Sequence, residues 1–341
     1  MAVWVVRAGR YGQRENFALE NGFVMVGWEG LSDLSKLDLE ELKKAIDREY
    51  PDRNSRTIGI WAGQAWNFVH EIEVDDLVIT PLKDNPTVAV GEVTGKYQFL
   101  PDNPEEAKHV RKVKWLNTEV SRTAFDDDIL ASLGSNLTVF QVRADNAEHR
   151  VRSLLDVGSE PTTEDEIEES DSLAEAVNME TQAADQIRKF IDRKFRSHNF
   201  AQLIAALLVA KGYTVHASDP GPDGGVDIVA GRGSIGFDAP RIVVQVKSGR
   251  VVAGMAVVTA LNERIEGFGA DVGLLVSWGG FERKVKREIA KRFFKIRLWD
   301  SEDVVSELKA NYEKLPEDVK AMLPLKEIWA LVSEDAQFQP E

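Results

Sequence analysis

The chain has 341 residues and no cysteine, which excludes a disulfide framework, a Cys-ligated zinc or iron–sulfur centre and a cysteine nucleophile. Hydrophobic residues make up 43% and charged residues 29%, a balance that rules out disorder throughout. The formal net charge of −15 means that a nucleic-acid partner must find a local basic face. The length allows two or three domains. No apolar run approaches the roughly 20 residues of a membrane span, and the apolar stretch in MAVWVVRAGRYGQREN is too short for a secretory signal. A cytoplasmic protein with no membrane partner is expected.

The first part of the chain mixes short strands with one clear helix. AVWVVRAG and FVMVGW are strand candidates. Leu39, Leu42, Ala45 and Ile46 recur at helical spacing, with Asp38 placed to cap. DDLVITPL, TVAVGEV, VRKVKWL and NLTVFQVR follow, each rich in β-branched or aromatic residues. Strands separated by turn signals suggest a small, partly closed β-barrel with a helix.

Composition changes sharply near Asp156. In SEPTTEDEIEESDS, Glu160, Glu164, Asp165, Glu166, Glu168, Glu169 and Asp171 are acidic and nothing is basic. Such a run repels itself and buries nothing, so it reads as an extended linker. The expected division is residues 1–155, a linker over 156–172, and a second domain over 173–341 with helical extensions at both ends.

Within that second domain, Ile187, Phe190, Ile191 and Phe195 form an apolar stripe on a polar helix. Phe200, Leu203, Ile204, Leu207 and Leu208 mark another helix, which Gly212 ends. YTVHA, VDIVA, IVVQVK, VGLLVS and IRLW read as strands. Val252–Ile265, FERKVKREIAKRF and SEDVVSEL read as helices, the last opened by a Ser cap. Helices and strands alternate, so an α/β domain with a central mixed sheet is expected and the whole chain is α+β or α/β in class. The closing stretch around Leu323, Leu325, Ile328, Trp329 and Leu331 is apolar enough to pack on its own domain or on a second copy.

The chemistry gathers in DPGPDGGVDIVA, Asp219–Ala230, and IVVQVKSG, Ile242–Gly249. Gln245 and Lys247 are two apart on one strand and so share a face. If the two strands pair as a hairpin, Asp227 joins that face. Mg²⁺, or Mn²⁺ in its place, prefers oxygen ligands; Asp227 supplies a charged one, and the Gln245 side chain or the Val246 carbonyl supplies another. Lys247 would orient or deprotonate a water and offset charge building on a phosphate. Asp223 is a further acid nearby, or a turn residue. Between Arg241 and Arg297 there are twelve Lys or Arg against five Asp or Glu. Arg250, Arg283, Lys284, Lys286 and Arg287 are the candidate contacts to a DNA backbone, although a basic run on a helix also serves as a solvated face.

Four segments, FAQLIAALLVAKGY (200–213), GPDGGVDIVA (221–230), IVVQVK (242–247) and LLVSWGGF (274–281), resemble the Mrr-type branch of the PD-(D/E)xK nucleases over about residues 195–308. The resemblance implies a restriction-endonuclease-like fold and metal-dependent hydrolysis of DNA phosphodiesters, with Asp227, Gln245 and Lys247 as the catalytic set and Asp227 and Gln245 as metal ligands. Family members often carry a glutamate in the first helix where this chain has Ala201, beside Gln202. More weakly, DDLVITPL, VAVGEVTGKYQF and VRKVKWL resemble the PUA-like barrels of the EVE and related groups, some of which read modified bases. A flipped base needs aromatic walls and a few hydrogen-bond groups. Trp28, Trp61, Gln64, Trp66, Asn67 and Tyr97 are the candidate pocket, though the same tryptophans would also serve to build the core.

These readings converge on a Mg²⁺-dependent endonuclease for double-stranded DNA, selecting modified bases, acting as a homodimer in restriction or anti-phage defence. Two alternatives stay open: a nuclease triggered by a small signal or protein bound to the N-terminal domain, and an inactive nuclease fold that only binds nucleic acid.

Overall fold

The computed structural model describes residues 1–9, 11–83, 86–155, 179–218 and 225–328. The acidic tract 159–172, Asp223, Trp329 and Leu331 lie outside them. The chain divides into two compact units that meet between Gln182 and Ala183.

The first unit contains β1 (Val3–Val6), α1 (Glu15–Asn21), β2 (Phe23–Val26), α2 (Leu39–Glu49), α3 (Ser55–Trp66), β3 (Leu77–Pro81), β4 (Thr87–Phe99), β5 (His109–Ser121), α4 (Asp127–Leu133), β6 (Val139–Gln141) and α5 (Ala147–Ser153). As its spacing predicts, α2 is amphipathic and buries Leu42 and Ile46. Asp38 and Glu41 close a reciprocal capping box at its start.

The strands form one sheet in the order β2-β5-β4-β3-β1-β6, with β1 parallel to β3 and the other pairs antiparallel. Among the described residues its edge strands β2 and β6 do not pair, so the expected barrel is instead an open sheet. The reason lies in the side-chain pattern. Trp4, Val6 and Val78 pack on one face with Ile46, Ile58 and Trp61 of α2 and α3. Val3, Val5, Leu77 and Ile79 pack on the other with Ile129 and Leu133 of α4 and Val151 of α5. Strands buried on both faces make the centre of a layered sheet.

Asp76 ties the first strand to this sheet. Its carboxylate is buried and accepts from Ala2 N (2.7 Å), Trp4 Nε1 (3.0 Å) and Glu73 N (3.0 Å).

The second unit contains most of α6 (Met179–Lys194), then α7 (His198–Ala210), β7 (Thr214–Ala217), β8 (Ile228–Arg232), β9 (Asp238–Lys247), α8 (Met255–Gly267), β10 (Val272–Ser277), α9 (Arg283–Ile289), β11 (Ile296–Trp299), α10 (Ser301–Asn311) and α11 (Glu317–Met322). The sheet order is β11-β10-β9-β8-β7. Strands β9, β10 and β11 are parallel, while β7, β8 and β9 are antiparallel, which is the mixed sheet expected. Helices α7 and α10 cover one face through Phe200, Leu203, Leu207, Val304 and Leu308. Helices α8 and α9 cover the other through Val258, Leu261, Ile265 and Val285. This topology brings the C-terminal ends of β9, β10 and β11 and the N-terminal end of β8 to one edge, where ligands bind in sheets of this kind.

Two local expectations are corrected. The basic helix α9 is shorter than its sequence run and gives way to a 3-10 turn at Ala290–Arg292. Helix α10 is capped by Asp300 rather than Ser301. Asp300 is extended (φ −92°, ψ −173°), and its carboxylate accepts from Glu302 N and Asp303 N. Of the closing stretch, the described part at Leu323 and Leu325 packs on the second unit: Leu323 is buried, and Tyr312 Oη donates to Leu323 O and accepts from Leu325 N, each at 2.8 Å. Ile328 is exposed.

Two predictions follow from these contacts. Asp76→Ala strands three donors and should cost about 2–4 kcal/mol, read as a lowered urea midpoint for the first unit with the fold retained; an unchanged midpoint would contradict the role given to Asp76. Asp303 is pushed up to about 6 by burial and by the neighbouring Asp300 charge. Its folded value exceeds the unfolded one, so the favourable contribution is full below the unfolded value and lost as pH rises through about 6. Asp303→Asn keeps the acceptor for Asp300 N (2.9 Å) and removes the charge. It should be more stable than the natural chain at pH 7.5, with the difference vanishing near pH 4 in paired denaturation curves.

Candidate nuclease site

The site begins with the register of β8 on β9. Ile228 pairs with Val244 and Val229 with Val243, which brings Asp227, the residue before β8, beside Val244–Val246. The conditional hairpin of the sequence reading is formed. Asp227 is held through three groups: its N–H donates to Val244 O (3.0 Å), its carbonyl accepts from Ser218 N (2.9 Å), and its Oδ2 accepts from Val246 N (2.8 Å). The carboxylate takes a main-chain donor of β9, so strand and acid are fixed together.

Gln245 is buried, and its Oε1 accepts from Arg264 Nη1 of α8 at 3.0 Å. Val246 points to the opposite face and joins the core under α7. Lys247 ends β9 and is exposed. On β10, Leu275 lies beside Gln245 and Ser277 beside Lys247. Ser277 is fully buried, and its Oγ has no hydrogen-bond partner among the described residues. Gln245 and Lys247 thus share one face at the C-terminal end of β9, and Asp227 lies at the same sheet edge with its carboxylate on Val246 N.

The loops leaving that edge are locked to each other. Ala253 bridges Phe281, Ala253 N donates to Gly280 O, and Glu282 N donates to Ala253 O. This explains the two glycines of LLVSWGGF. A Cβ on Gly279 would lie 2.5 Å from Val251 O, and Gly280 has φ +87°. The start of α7 joins the same edge, since Ser197 N donates to Ser248 Oγ (3.1 Å). Ala201 is buried there, while Gln202 is exposed and its Nε2 lies 3.1 Å from His198 Nε2.

The basic candidates fall into two groups. Arg250 is paired with Asp192 at 2.8 Å and Lys286 with Asp300 at 3.1 Å. Lys284 and Arg287 stand exposed on α9, with Arg283 half-buried. Exposed cations reach a phosphate at lower cost than those already paired.

In the first unit the pocket candidates are scattered over different tasks. Trp28 and Trp61 are core residues. Gln64 Oε1 accepts from Thr138 N (2.6 Å) and Val139 N (3.0 Å), which fastens α3 to β6. Trp66 is half-buried, donates to Glu71 Oε1 (2.7 Å) and lies over His70. Asn67 is half-buried at the end of α3. Tyr97 Oη lies 2.8 Å from His109 Nδ1 and accepts from Leu34 N (3.3 Å). Burial pushes the His109 imidazole down to about 4 and the Tyr97 phenol upward.

Arg264 and Ser277 were not among the sequence candidates. Arg264 was visible only as one of the excess basic residues, although its place three residues after Leu261 put it on the sheet-facing side of a helix.

Among the described residues no three His, Asp or Glu converge as a metal cluster. The oxygen set at Asp227, Gln245 and the Val246 carbonyl is of the kind that Mg²⁺ uses, since that ion takes one or two carboxylates and keeps waters or phosphate oxygens for the rest. No described helix is long and apolar enough to cross a membrane.

No curated protein matches the chain. Among solved structures it is similar to a protein of unknown function, AF1548, with 17% identity and TM-score 0.27, covering 33% of this chain and 66% of that one. It is also similar to the DNA modification-dependent restriction endonuclease AspBHI, with 15% identity and TM-score 0.35, covering 89% and 79%. A third is the MspJI restriction endonuclease in complex with a 27-mer oligonucleotide, with 14% identity and TM-score 0.32, covering 95% and 80%. Residues 4–138 match a family described as a domain of unknown function, DUF8426. Residues 192–308, the segment that carries Asp227, Gln245 and Lys247, match the Mrr catalytic family described as restriction endonuclease.

Proposed function

We propose that the chain is a metal-dependent endonuclease that hydrolyses phosphodiester bonds of double-stranded DNA. The observation that carries this reading is the meeting of Asp227, Gln245 and exposed Lys247 at one sheet edge, inside the segment matched to restriction endonucleases. A bound Mg²⁺ or Mn²⁺ supplies a Lewis acid on the phosphate and a more acidic water. Asp227 and a carbonyl oxygen of Gln245 or Val246 hold that ion. Lys247 orients the attacking water and offsets the charge that develops on the phosphate. Asp223 is assigned as an auxiliary acid. Lys284 and Arg287 are the first contacts to the DNA backbone, and Arg250, Lys286 and Arg283 join by exchanging the partners they already hold.

The first unit is assigned the choice of DNA, with modified bases as the feature read, which makes the protein a cytoplasmic restriction or anti-phage nuclease. A second reading, in which this unit answers to a small signal or a protein, is favoured by the burial of Trp28 and Trp61 in its core. Digestion of phage DNAs bearing different base modifications, with and without Mg²⁺, separates the two. Strong preference for one modification supports the first reading, and equal cutting of all of them contradicts it. One site breaks one strand, so a double-strand break requires two copies arranged with the two-fold symmetry of the duplex. Cleavage should then rise faster than linearly with enzyme concentration if the dimer forms on DNA, and a monomer making clean double-strand breaks would remove the dimer.

Lys247→Ala should lower Mg²⁺-dependent cleavage by about 10²–10³-fold, as for loss of other charge-stabilising donors. Asp227→Ala should abolish it. Gln245→Ala should cost less, about tenfold, because the Val246 carbonyl remains. Plasmid cleavage rates with circular dichroism as a control for folding check all three, and full activity of either of the first two variants would refute the site.

A further inference from the structure

Ser277 holds a hydroxyl for which the fold has no evident use. It ends β10 fully buried, and its Oγ has no hydrogen-bond partner among the described residues. A buried hydroxyl left without a partner destabilises the folded chain, and few such groups persist in native proteins. Alanine would fill nearly the same space without that cost. The strand end itself is firmly held: Trp278 N donates to Lys247 O (2.9 Å) and Gly280 N donates to Ser277 O (3.1 Å).

The neighbouring strands identify the missing partner. On β9 the residue in register with Ser277 is Lys247, and residues paired across parallel strands share a face. On the other side β11 ends at Trp299, opposite Val276, and the carboxylate of the following Asp300 is engaged. Its Oδ1 accepts from the main chain of α10 and its Oδ2 from Lys286. Lys247 is exposed and, unlike Arg250 and Lys286, enters no ion pair among the described residues. A fixed acceptor without a donor thus lies beside a flexible cation without an acceptor. An ammonium on a four-carbon stem samples many positions unless something holds it, and it carries three N–H donors.

We propose that Ser277 is a positioning residue for Lys247. Its Oγ accepts one N–H of the Lys247 ammonium and confines that charge to the sheet edge, which leaves two donors for the attacking water and a phosphate oxygen. The hydroxyl lowers the stability of the fold and serves the reaction, as polar groups at functional sites do. This inference rests on the phosphodiesterase reading above and adds to it the residue that fixes the lysine in place.

The test is a double-mutant cycle on the full-length protein, read by single-turnover cleavage of a duplex in saturating Mg²⁺ and by urea denaturation. Ser277→Ala should slow cleavage by about 10–100-fold, the range for loss of a hydrogen bond to a charged group, with duplex affinity unchanged. Its urea midpoint should equal or exceed that of the natural chain, because the unmade hydrogen bond goes with the hydroxyl. Ser277→Cys, close in size and a weak acceptor, should be slowed likewise without leaving a cavity. In a Lys247→Ala background, Ser277→Ala should slow cleavage no further. A merely structural serine would lower the urea midpoint and slow cleavage equally with and without Lys247. Cleavage at the natural rate by Ser277→Ala, the full loss repeated in the Lys247→Ala background, or a lowered midpoint in both Ser277 variants would overturn the proposal. Failure of the underlying reading has its own marks: no Mg²⁺-dependent cleavage by the natural chain, or cleavage at the natural rate by Lys247→Ala.

Discussion

The pairing of Ile228 with Val244 decides which face of the sheet Gln245 and Lys247 take. A strand alternates its side chains with period two, so a slip of one residue would send Gln245 and Lys247 under α7 and turn Val244 and Val246 toward α8. Two forces hold the register. Ile228 and Val244 are fully buried in the same core, while Val243 fills the core on the opposite face. Asp227 then locks the strand end, because its carboxylate takes the Val246 N–H that the ladder leaves over. The Asp227 carboxylate is thus the pin of the sheet edge.

The electrostatics of that edge follow from its neighbours. Helix α8 covers the site face and brings Arg264 to Gln245, and the loops after β9 and β10 are joined so closely that Gly279 has no room for a side chain. Lys286 and Asp300 form an ion pair between α9 and the cap of α10. Arg250 and Lys286 are thus paired with carboxylates within the unit, while Lys284 and Arg287 stand exposed on α9.

How legible this was varies with the physical signal. Helix α2 was readable because Leu42 and Ile46 recur at helical spacing behind a capping aspartate. Strands β8 and β9 were readable because their apolar runs are bounded by turn residues, and the family resemblance over about 195–308 is the segment that the family match covers. The expected barrel is an open sheet because VWVV and LVIT are nearly continuous apolar runs, the mark of strands buried on both faces. Helix α3 carries a mixed signal, since Gly59 and Gly63 weaken a helix while Ile58, Trp61, Ala62 and Ala65 recur at helical spacing. For Arg264 the helical spacing from Leu261 gives the sheet-facing side, but its contact with Gln245, 19 positions away, leaves no trace in the sequence.

Asp227→Asn separates the proposed metal-holding charge of Asp227 from its part in fixing the strand, because an asparagine oxygen still accepts from Val246 N while the charge is gone. DNA binding and single-turnover cleavage of a modified duplex should be followed together in Mg²⁺ with this variant. A stable protein that binds the duplex and leaves it uncut is expected. Cleavage at the natural rate by Asp227→Asn would mean that the charge serves the fold alone.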